Sequence, residues 1–587
     1  MTSFSNNEVA SILRKVASAY ELHEGSNIKF KIAKYKEFAE KIERLPTQLI
    51  DMFKEGTLHD SKFLGKNILG YIIELFENGH VVHFDELLNN LPIVFFKLIE
   101  LRGVGSKRAL ALIDELGLRT LDDLKVAIKE NLIEEVPRFG RKFQEFIEES
   151  LREYEGNQNI PQRFLLRDIL KIGQDILDYM NKDKSLKKIE AYICGSARRR
   201  LETVGDLDIA VSTKNSKKVL DKFMKYPKIS KAVINGPSWI TVVLLSGHQV
   251  DFRTQSPDSF GAMLIHFTGS KYHNIKLREI AISRGLSLSE AGVLNNNKLI
   301  KFKTEVELYN FFGFQWIPPE LREGNLEFVL KIPELIKLTD LRGDLHIHSN
   351  YPMETAHDYG KHSMKEMIEK AQDLGYEYMC FSDHNPALGT HDKNQYYKII
   401  YERTKYIEKL RSQYDIEIYN MLEMDILPSG ELAIDEESLS LLDACLVSIH
   451  SSFLMSKEEM TERIIRGLSH PKAKIFAHPS ARILLKRNEI SADWDRIFDF
   501  CIKNDKALEI NASYDRLDLN PELIKKYNPY INKKVEQVKL IISSDAHSLG
   551  EMDQMIFGIY DARRGWCSKE QIFNTRGVEE FSKWLKY

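Results

Sequence analysis

Between residues 340 and 587, short apolar β runs alternate with helical stretches of about ten to twenty residues. This alternation limits the fold more than anything else in the chain. Parallel strands joined by helices need cover on both faces, so the pattern predicts a βα barrel or a layered parallel sheet. Nearly every β run ends on a histidine or a carboxylate. The runs are Gly343-Asp-Leu-His-Ile-His-Ser, Ser382-Asp-His, Met421-Leu-Glu-Met-Asp, Val447-Ser-Ile-His, Phe476-Ala-His-Pro and Ile542-Ser-Ser-Asp-Ala-His. The carboxyl ends of barrel strands share one mouth, so these side chains are expected to converge there. Asp344, His346 and His348 alternate and leave one strand face. Imidazoles mixed with carboxylates suit Mn²⁺, Zn²⁺ or Fe²⁺ rather than Ca²⁺.

The preceding residues read differently. Apolar positions recur at three and four up to about residue 155 (Val9, Ile12, Leu13, Val16), the helical period. From 186 to 255 the pattern turns to β runs. At 587 residues the chain predicts roughly four domains. Its net charge of −3 hides a split, about +6 over residues 1–318 and about −9 over 319–587, which points to halves with different partners. Hydrophobic residues at 43% and charged residues at 29% exclude a largely disordered chain. The 5 cysteines never form a CxxC, which argues against disulfides or a cysteine zinc site and for a reducing cytoplasm. No apolar run reaches the ~18 residues of a membrane span, so no membrane partner is expected. Nothing visible demands an oligomer, and a monomer is expected.

Two motifs in the first half carry chemistry. In Leu101-Arg-Gly-Val-Gly-Ser-Lys-Arg, Gly103 and Gly105 permit a tight turn before a helix whose free N–H groups can face a phosphate, with Lys107 adding charge. This is a helix-hairpin-helix signature, which holds nucleic acid without reading its sequence. Phe63-Leu-Gly-Lys is a degenerate second copy and Pro137-Arg-Phe-Gly-Arg-Lys a weaker third. The other motif is Cys194-Gly-Ser-Ala-Arg-Arg-Arg, followed by Gly205-Asp-Leu-Asp. Asp206 and Asp208 leave one strand face and repel unless a hard cation lies between them. Asp251, in Val250-Asp-Phe-Arg, is available as a third ligand. Gly195 and Ser196 offer N–H and hydroxyl donors to a triphosphate, and Arg198, Arg199 and Arg200 are candidates to neutralise it. Three carboxylates with a phosphate clamp describe nucleotidyl transfer with Mg²⁺ or Mn²⁺.

These motifs, with Phe267-Thr-Gly-Ser-Lys-Tyr-His-Asn, resemble the family X DNA polymerases over residues 1–318. The resemblance implies that Asp206, Asp208 and Asp251 hold the metals, Asp251 serving the primer hydroxyl. It implies that Ser196 and Arg199 contact the triphosphate, Phe267 and Gly269 the sugar, and Asn274 the base. His266 and Lys271 fall in the same nucleotide site but depart from the family pattern, which has a tyrosine and an acidic residue there. Asn67 and Tyr71 replace the lysines of the eukaryotic lyase, and a Schiff base needs an amine. Little or no lyase activity of that type is expected.

The second half resembles the PHP (polymerase and histidinol phosphatase) domain over residues 339–575. That resemblance implies up to three metals on His346, His348, His384, Glu423 as a bridging carboxylate, His450, His478, Asp545 and His547. The family's Ser-Asp-Gly is absent here, and Asp358 takes its place, with His357 and Glu354 as alternatives. Arg482, Lys486 and Arg516 are candidates to hold a DNA strand.

The expected fold is multidomain α+β and α/β. It has a helical domain over 1–88, helix-hairpin-helix fingers over 89–158, a nucleotidyltransferase palm over 159–260 and a thumb over 261–318. A linker over 319–338 precedes a distorted, TIM-like PHP barrel over 339–587. The expected activity is gap filling on gapped or primer-template DNA with dNTPs, with a 3′–5′ exonuclease in the barrel. By the same resemblance, incision at abasic sites joins these. Two alternatives are a phosphoesterase using the polymerase half as a DNA-binding scaffold, and a histidinol-phosphatase-like enzyme.

Overall fold

The computed structural model describes all residues except 1–3, 5, 23–27, 44–48, 55–57, 59–63, 90, 100, 102, 103, 138, 157–162, 184, 185, 187, 188 and 587. The chain forms two compact units, residues 1–162 with the short segments 230–236 and 240–243, and the remainder.

The first unit is helical. On helix Asn6–Tyr20 the spacing of three and four places Val9, Leu13, Val16 and Ala17 on one buried face against helices Ile28–Glu43 and Lys66–Asn78. A separate core of Val94, Phe95, Leu98, Leu112, Leu124 and Ile147 gathers the helices that follow. Among these are α1 (Ser106–Leu116) and α2 (Leu121–Lys129). Gly117 closes α1 in the left-handed region, and Thr120 with Asp123 forms a capping box that starts α2.

The palm sheet comprises β1 (Glu190–Ile193), β2 (Leu207–Ser212) and β5 (Gln249–Gln255) of the second unit, with β3 (Ile229–Asn235) and β4 (Trp239–Leu244), most of whose residues are the short segments grouped with the first. Its strand order is β1-β2-β5-β4-β3. Leu207, Ile209 and Val211 bury one face of β2, so Asp208 leaves on the other. Residues 195–198 form the short helix α3. A thumb follows with α4 (Phe260–Thr268), α5 (Lys271–Ser283), a small antiparallel sheet over 287–300, and α6 (Glu305–Phe311).

Residues 319–338, expected as a linker, are packed in part, with Lys331, Glu334 and Lys337 exposed. Arg322 is fully buried and bonds Glu305 at 2.8 Å and the Ile317 carbonyl, while Leu321, Leu335 and Ile336 are buried too. Arg322 and Glu327 pair with thumb residues Glu305 and His273, and Glu320 and Glu323 pair with Arg563 and Lys525 of the barrel domain.

The barrel strands are β6 (Gly343–Asp344), β7 (Tyr378–Phe381), β8 (Glu417–Asp425), β9 (Ala444–Ser448), β10 (Ala473–Phe476), β11 (Ala507–Asn511) and β12 (Lys539–Ser543). All run parallel and pair in sequence order. A bridge between Ile347 and Ala546 joins the last strand back to the first. Closure buries both faces of every strand, which is why β7 and β9 read as unbroken apolar runs. The C-terminal helix, Val578–Lys586, packs Phe581, Trp584 and Leu585 against Tyr378, Leu446 and Ile475 in the barrel interior. No helix among the described residues is long and apolar enough to cross a membrane.

Candidate active sites

Asp208 on β2 stands directly beside Asp251 on β5 in a parallel register, and Asp206 occupies the bend just before β2. Burial, and then repulsion from Asp206 and Asp251, holds the Asp208 carboxyl well above the usual range. Asp206 shifts the same way, through burial first and Asp251 next. Three acids gathered in this way, with Asp206 and Asp208 pushed toward protonation, make a site that a divalent cation suits. Gly195 lies against them at φ +59°, and a Cβ there would stand 1.9 Å from Asp208 Oδ2. Only glycine lets the α3 turn come this close.

The three arginines divide. Arg198 is bonded to both carboxylate oxygens of Glu305, at 2.7 and 2.9 Å, and belongs to the thumb contact. Arg200 lies 4.3 Å from the Tyr560 ring of the barrel domain. Arg199 donates to the Thr268 carbonyl, and a Cβ on Gly269 would meet its Nη1 at 3.1 Å, while Arg198 reaches only the Thr268 hydroxyl, at 2.6 Å. Phe267 faces Arg253 at 4.9 Å. Asn274 donates to the His266 carbonyl at 2.7 Å, and Arg278 lies 3.3 Å from His266 Nδ1. Burial pushes the His266 imidazole down to about 4, so it is neutral. Lys271 is exposed at the start of α5.

In the first unit Gly105 is the N-cap of α1, with Gly105 and Lys107 exposed. Gly103 lies outside the described residues. Gly140 precedes helix Arg141–Gly156 as Gly105 precedes α1, each glycine carbonyl accepting from the amides three and four residues on.

The barrel mouth is organised around Glu423. One carboxylate oxygen lies 3.0 Å from His384 Nδ1, 3.2 Å from His346 Nε2 and 3.5 Å from His348 Nε2. The other lies 2.7 Å from His478 Nε2 and 3.2 Å from His450 Nε2. Asp545 lies 3.3 Å from His348 and 3.4 Å from His346. His547 stacks on His348, with ring centroids 4.1 Å apart. Burial alone would raise the Glu423 carboxyl, but His384, His450, His346 and His478 hold it well below the usual range.

His346 Nε2, both nitrogens of His348, His384 Nδ1, Glu423 Oε2 and His547 Nε2 are buried without a hydrogen-bond partner. Buried polar atoms left this way are costly unless they ligate something, and imidazole with carboxylate is a donor set for transition metals.

The three alternatives for the remaining ligand separate. Asp358 bridges His384 at 3.5 Å and His547 at 3.4 Å. His357 also reaches the mouth, 3.1 Å from Asp425 and close enough to share an ion with His384 and His450. Glu354 pairs with His391 at 2.7 Å and is not part of the ring around Glu423.

Two carboxylates outside the expected ligand set stand behind this ring. Glu509 takes His346 Nδ1 at 2.7 Å, and Asp425 takes His450 Nδ1 at 2.7 Å, each turning Nε2 of its histidine toward Glu423. A charge inside the apolar run Ala507-Leu-Glu-Ile, and an acid two residues past Glu423 on the same strand, were the available signals. Asp344 accepts from the backbone N–H groups of His346 and Ser544 through Oδ1 alone, and its Oδ2 is buried without a hydrogen-bond partner. Of the proposed DNA-strand cations, Lys486 is exposed and Arg516 lies 3.4 Å from Asp545. Arg482 is buried and fully engaged with Glu202, Glu489 and two carbonyls, so it is not free for DNA.

Comparison with known proteins matches three family models: a SAM-like helix-hairpin-helix tandem over 95–143, the DNA polymerase beta thumb over 263–323 and the PHP domain over 344–513. The chain is 32% identical over 594 residues to the DNA polymerase/3′-5′ exonuclease PolX of Bacillus subtilis, covering 99% of both. It belongs to the PHP-bearing family X DNA polymerases. The tandem range takes in both Gly105 and Gly140. DNA polymerase lambda of Arabidopsis thaliana is 25% identical over 321 residues, 48% of this chain and 56% of that one. Polymerase beta of Leishmania infantum, solved as a ternary complex, covers 38% of this chain and 96% of its own at 20% identity, with a TM-score of 0.27.

Proposed function

We propose that the chain is a DNA polymerase that fills short gaps during repair, with a 3′–5′ exonuclease in its barrel. The observation that carries the reading is that one family X chain holds two different acid centres, the aspartate trio beside Gly195 and the imidazole ring around Glu423. When bound, divalent cations acidify the attacking hydroxyl or water and steady the leaving oxygen.

Asp206, Asp208 and Asp251 would hold Mg²⁺ or Mn²⁺, with Asp251 on the side of the primer hydroxyl. Gly195, Ser196 and Arg199 take the triphosphate, and Phe267, Gly269 and Asn274 flank the sugar and base. His266 and Lys271 complete this pocket where the family pattern departs. Gly103, Gly105 and Lys107 bind a DNA phosphate through N–H groups and charge.

In the barrel, His346, His348, Glu423 and Asp545 would form one Mn²⁺, Zn²⁺ or Fe²⁺ position. Glu423, His450 and His478 form a second, and Asp358, His384 and His547 a third. Glu509 and Asp425 keep two of the imidazoles in the tautomer that faces the ion. Arg516, partly exposed beside Asp545, is suited to a substrate phosphate. The same hydrolytic set extends, in this proposal, to incision at abasic sites.

The test is a pair of double variants on gapped DNA. Asp206→Ala with Asp208→Ala abolishes extension and spares trimming; His346→Ala with His348→Ala does the reverse. If both proteins retain both activities, the assignment of chemistry to the two centres is wrong.

A further inference from the structure

The loops that bear the barrel ligands are held by a residue that is not in the barrel. Arg482, four residues beyond His478, has a side chain only 9% exposed. Its Nε donates to the Arg516 carbonyl at 3.0 Å and its Nη2 to the Leu517 carbonyl, so it clasps the 513–518 loop. Its Nη1 reaches Glu489 at 3.2 Å, and Nη2 reaches Glu202 Oε1 at 2.7 Å. Glu202 belongs to the palm. Its own backbone is fixed, since its carbonyl accepts from Leu166 N at 3.1 Å and its neighbour Leu201 N donates to the Ser196 carbonyl at 3.1 Å.

Both clasped loops need holding. His478, Ala481 and Leu517 all sit at positive φ, +29°, +52° and +46°. Non-glycine residues keep such conformations only where their surroundings over-determine them. The loop ends matter chemically, since His478 lies on Glu423 and Arg516 on Asp545. Two further palm contacts bear on the same side of the barrel domain. The Arg167 guanidinium lies 3.2 Å from the Tyr514 ring, and Arg200 lies over Tyr560.

We propose that Glu202 of the palm is a positioning residue for the barrel's exonuclease, acting through Arg482 on the loops that carry His478 and Arg516. A buried arginine with five N–H donors can hold a loop by two carbonyls and bond two carboxylates at once. Without Glu202 the guanidinium keeps Glu489 at 3.2 Å but loses the nearer of its two carboxylates and the one that ties it to the palm, which loosens this buried arrangement. The proposal rests on the barrel being the exonuclease centre, and it predicts that a polymerase-half substitution slows trimming.

Glu202→Gln in the full chain is expected to lower exonuclease kcat by about tenfold, the effect of ~1.4 kcal/mol at the transition state. KM for a single-stranded oligonucleotide and the number of bound metal ions per chain should stay unchanged, a split that a general loss of fold would not produce. Glu202→Asp, which keeps the charge on a shorter arm, should recover part of the rate. In an Arg482→Gln background, Glu202→Gln should add nothing, because the two groups act as one unit.

Wild-type trimming by Glu202→Gln, or equal rate losses in the presence and absence of Arg482, would overturn the proposal. So would loss of the thermal unfolding transition in both Glu202 variants, which would make the pair a folding contact. A wild-type chain with no exonuclease at all would instead refute the barrel's assigned activity.

Discussion

Replacing Gly195 with alanine tests the palm geometry through a single methyl group. An L-residue at φ +59° costs about 1–2 kcal/mol by itself. The larger effect is steric. The new Cβ would stand 1.9 Å from Asp208 Oδ2, where real contacts stay above 3.0 Å, so carboxylate or turn must retreat by about 1 Å. The Asp208 backbone has little freedom, since its carbonyl accepts from Cys194 N at 2.7 Å and β2 is paired on both sides. The side chain therefore yields, and the spacing of the three acids is lost. A displacement of about 1 Å at a reacting centre costs on the order of 100-fold in rate, about 2.7 kcal/mol. Single-nucleotide gap filling at saturating dNTP and Mg²⁺ should show that fall in kcat. Trimming of single-stranded DNA by the same preparation should hold. Gap filling at the wild-type rate, or an equal loss of both activities, would refute this account of the glycine.

Glu305 is buried between Arg198, Arg322 and the Trp316 indole, 2.7, 2.8 and 3.1 Å away. Burial would raise its carboxyl, but Arg322 and Arg198 outweigh that and hold it at about 2. A lowered folded-state value stabilises above the unfolded value, and that stability is lost as pH falls from about 4.5 toward 2. Glu305→Gln should lower unfolding free energy at pH 7 by about 3–5 kcal/mol and flatten the pH dependence in that window, read by thermal unfolding against pH. Glu423→Gln replaces the carboxylate shared by five imidazoles with an amide that cannot bridge cations. Metal analysis should find fewer ions per chain and trimming should fall by roughly 100-fold or more, with gap filling retained; full metal content would contradict the shared role of Glu423.

Much of both centres was legible because their signals are local. Asp206 and Asp208 sit two apart, His346 and His348 likewise, and a period of two is a property of any strand. The order of short β runs and helices announced the barrel for the same reason. The roles of Arg198, Arg199 and Arg200 were not legible. Consecutive residues on a turn point in different directions, and only the packed thumb and barrel decide that Glu305 takes one and Tyr560 another. The burial of Arg322 within the expected linker was not legible either, because its partner Glu305 lies 17 residues back and meets it only in the folded thumb.

What the linear chain determined by itself is the inventory: two sets of ligand types, their alternation, and the elements that carry them. Backbone stereochemistry acts over a few residues and needs no neighbour to operate. Folding alone decided which ligands meet. Glu509 orients His346 from 163 positions away, and Glu202 reaches Arg482 across 280. Such pairings follow from barrel closure and from burial that forces each charge to find an opposite one, and neither condition is written in any short stretch of residues.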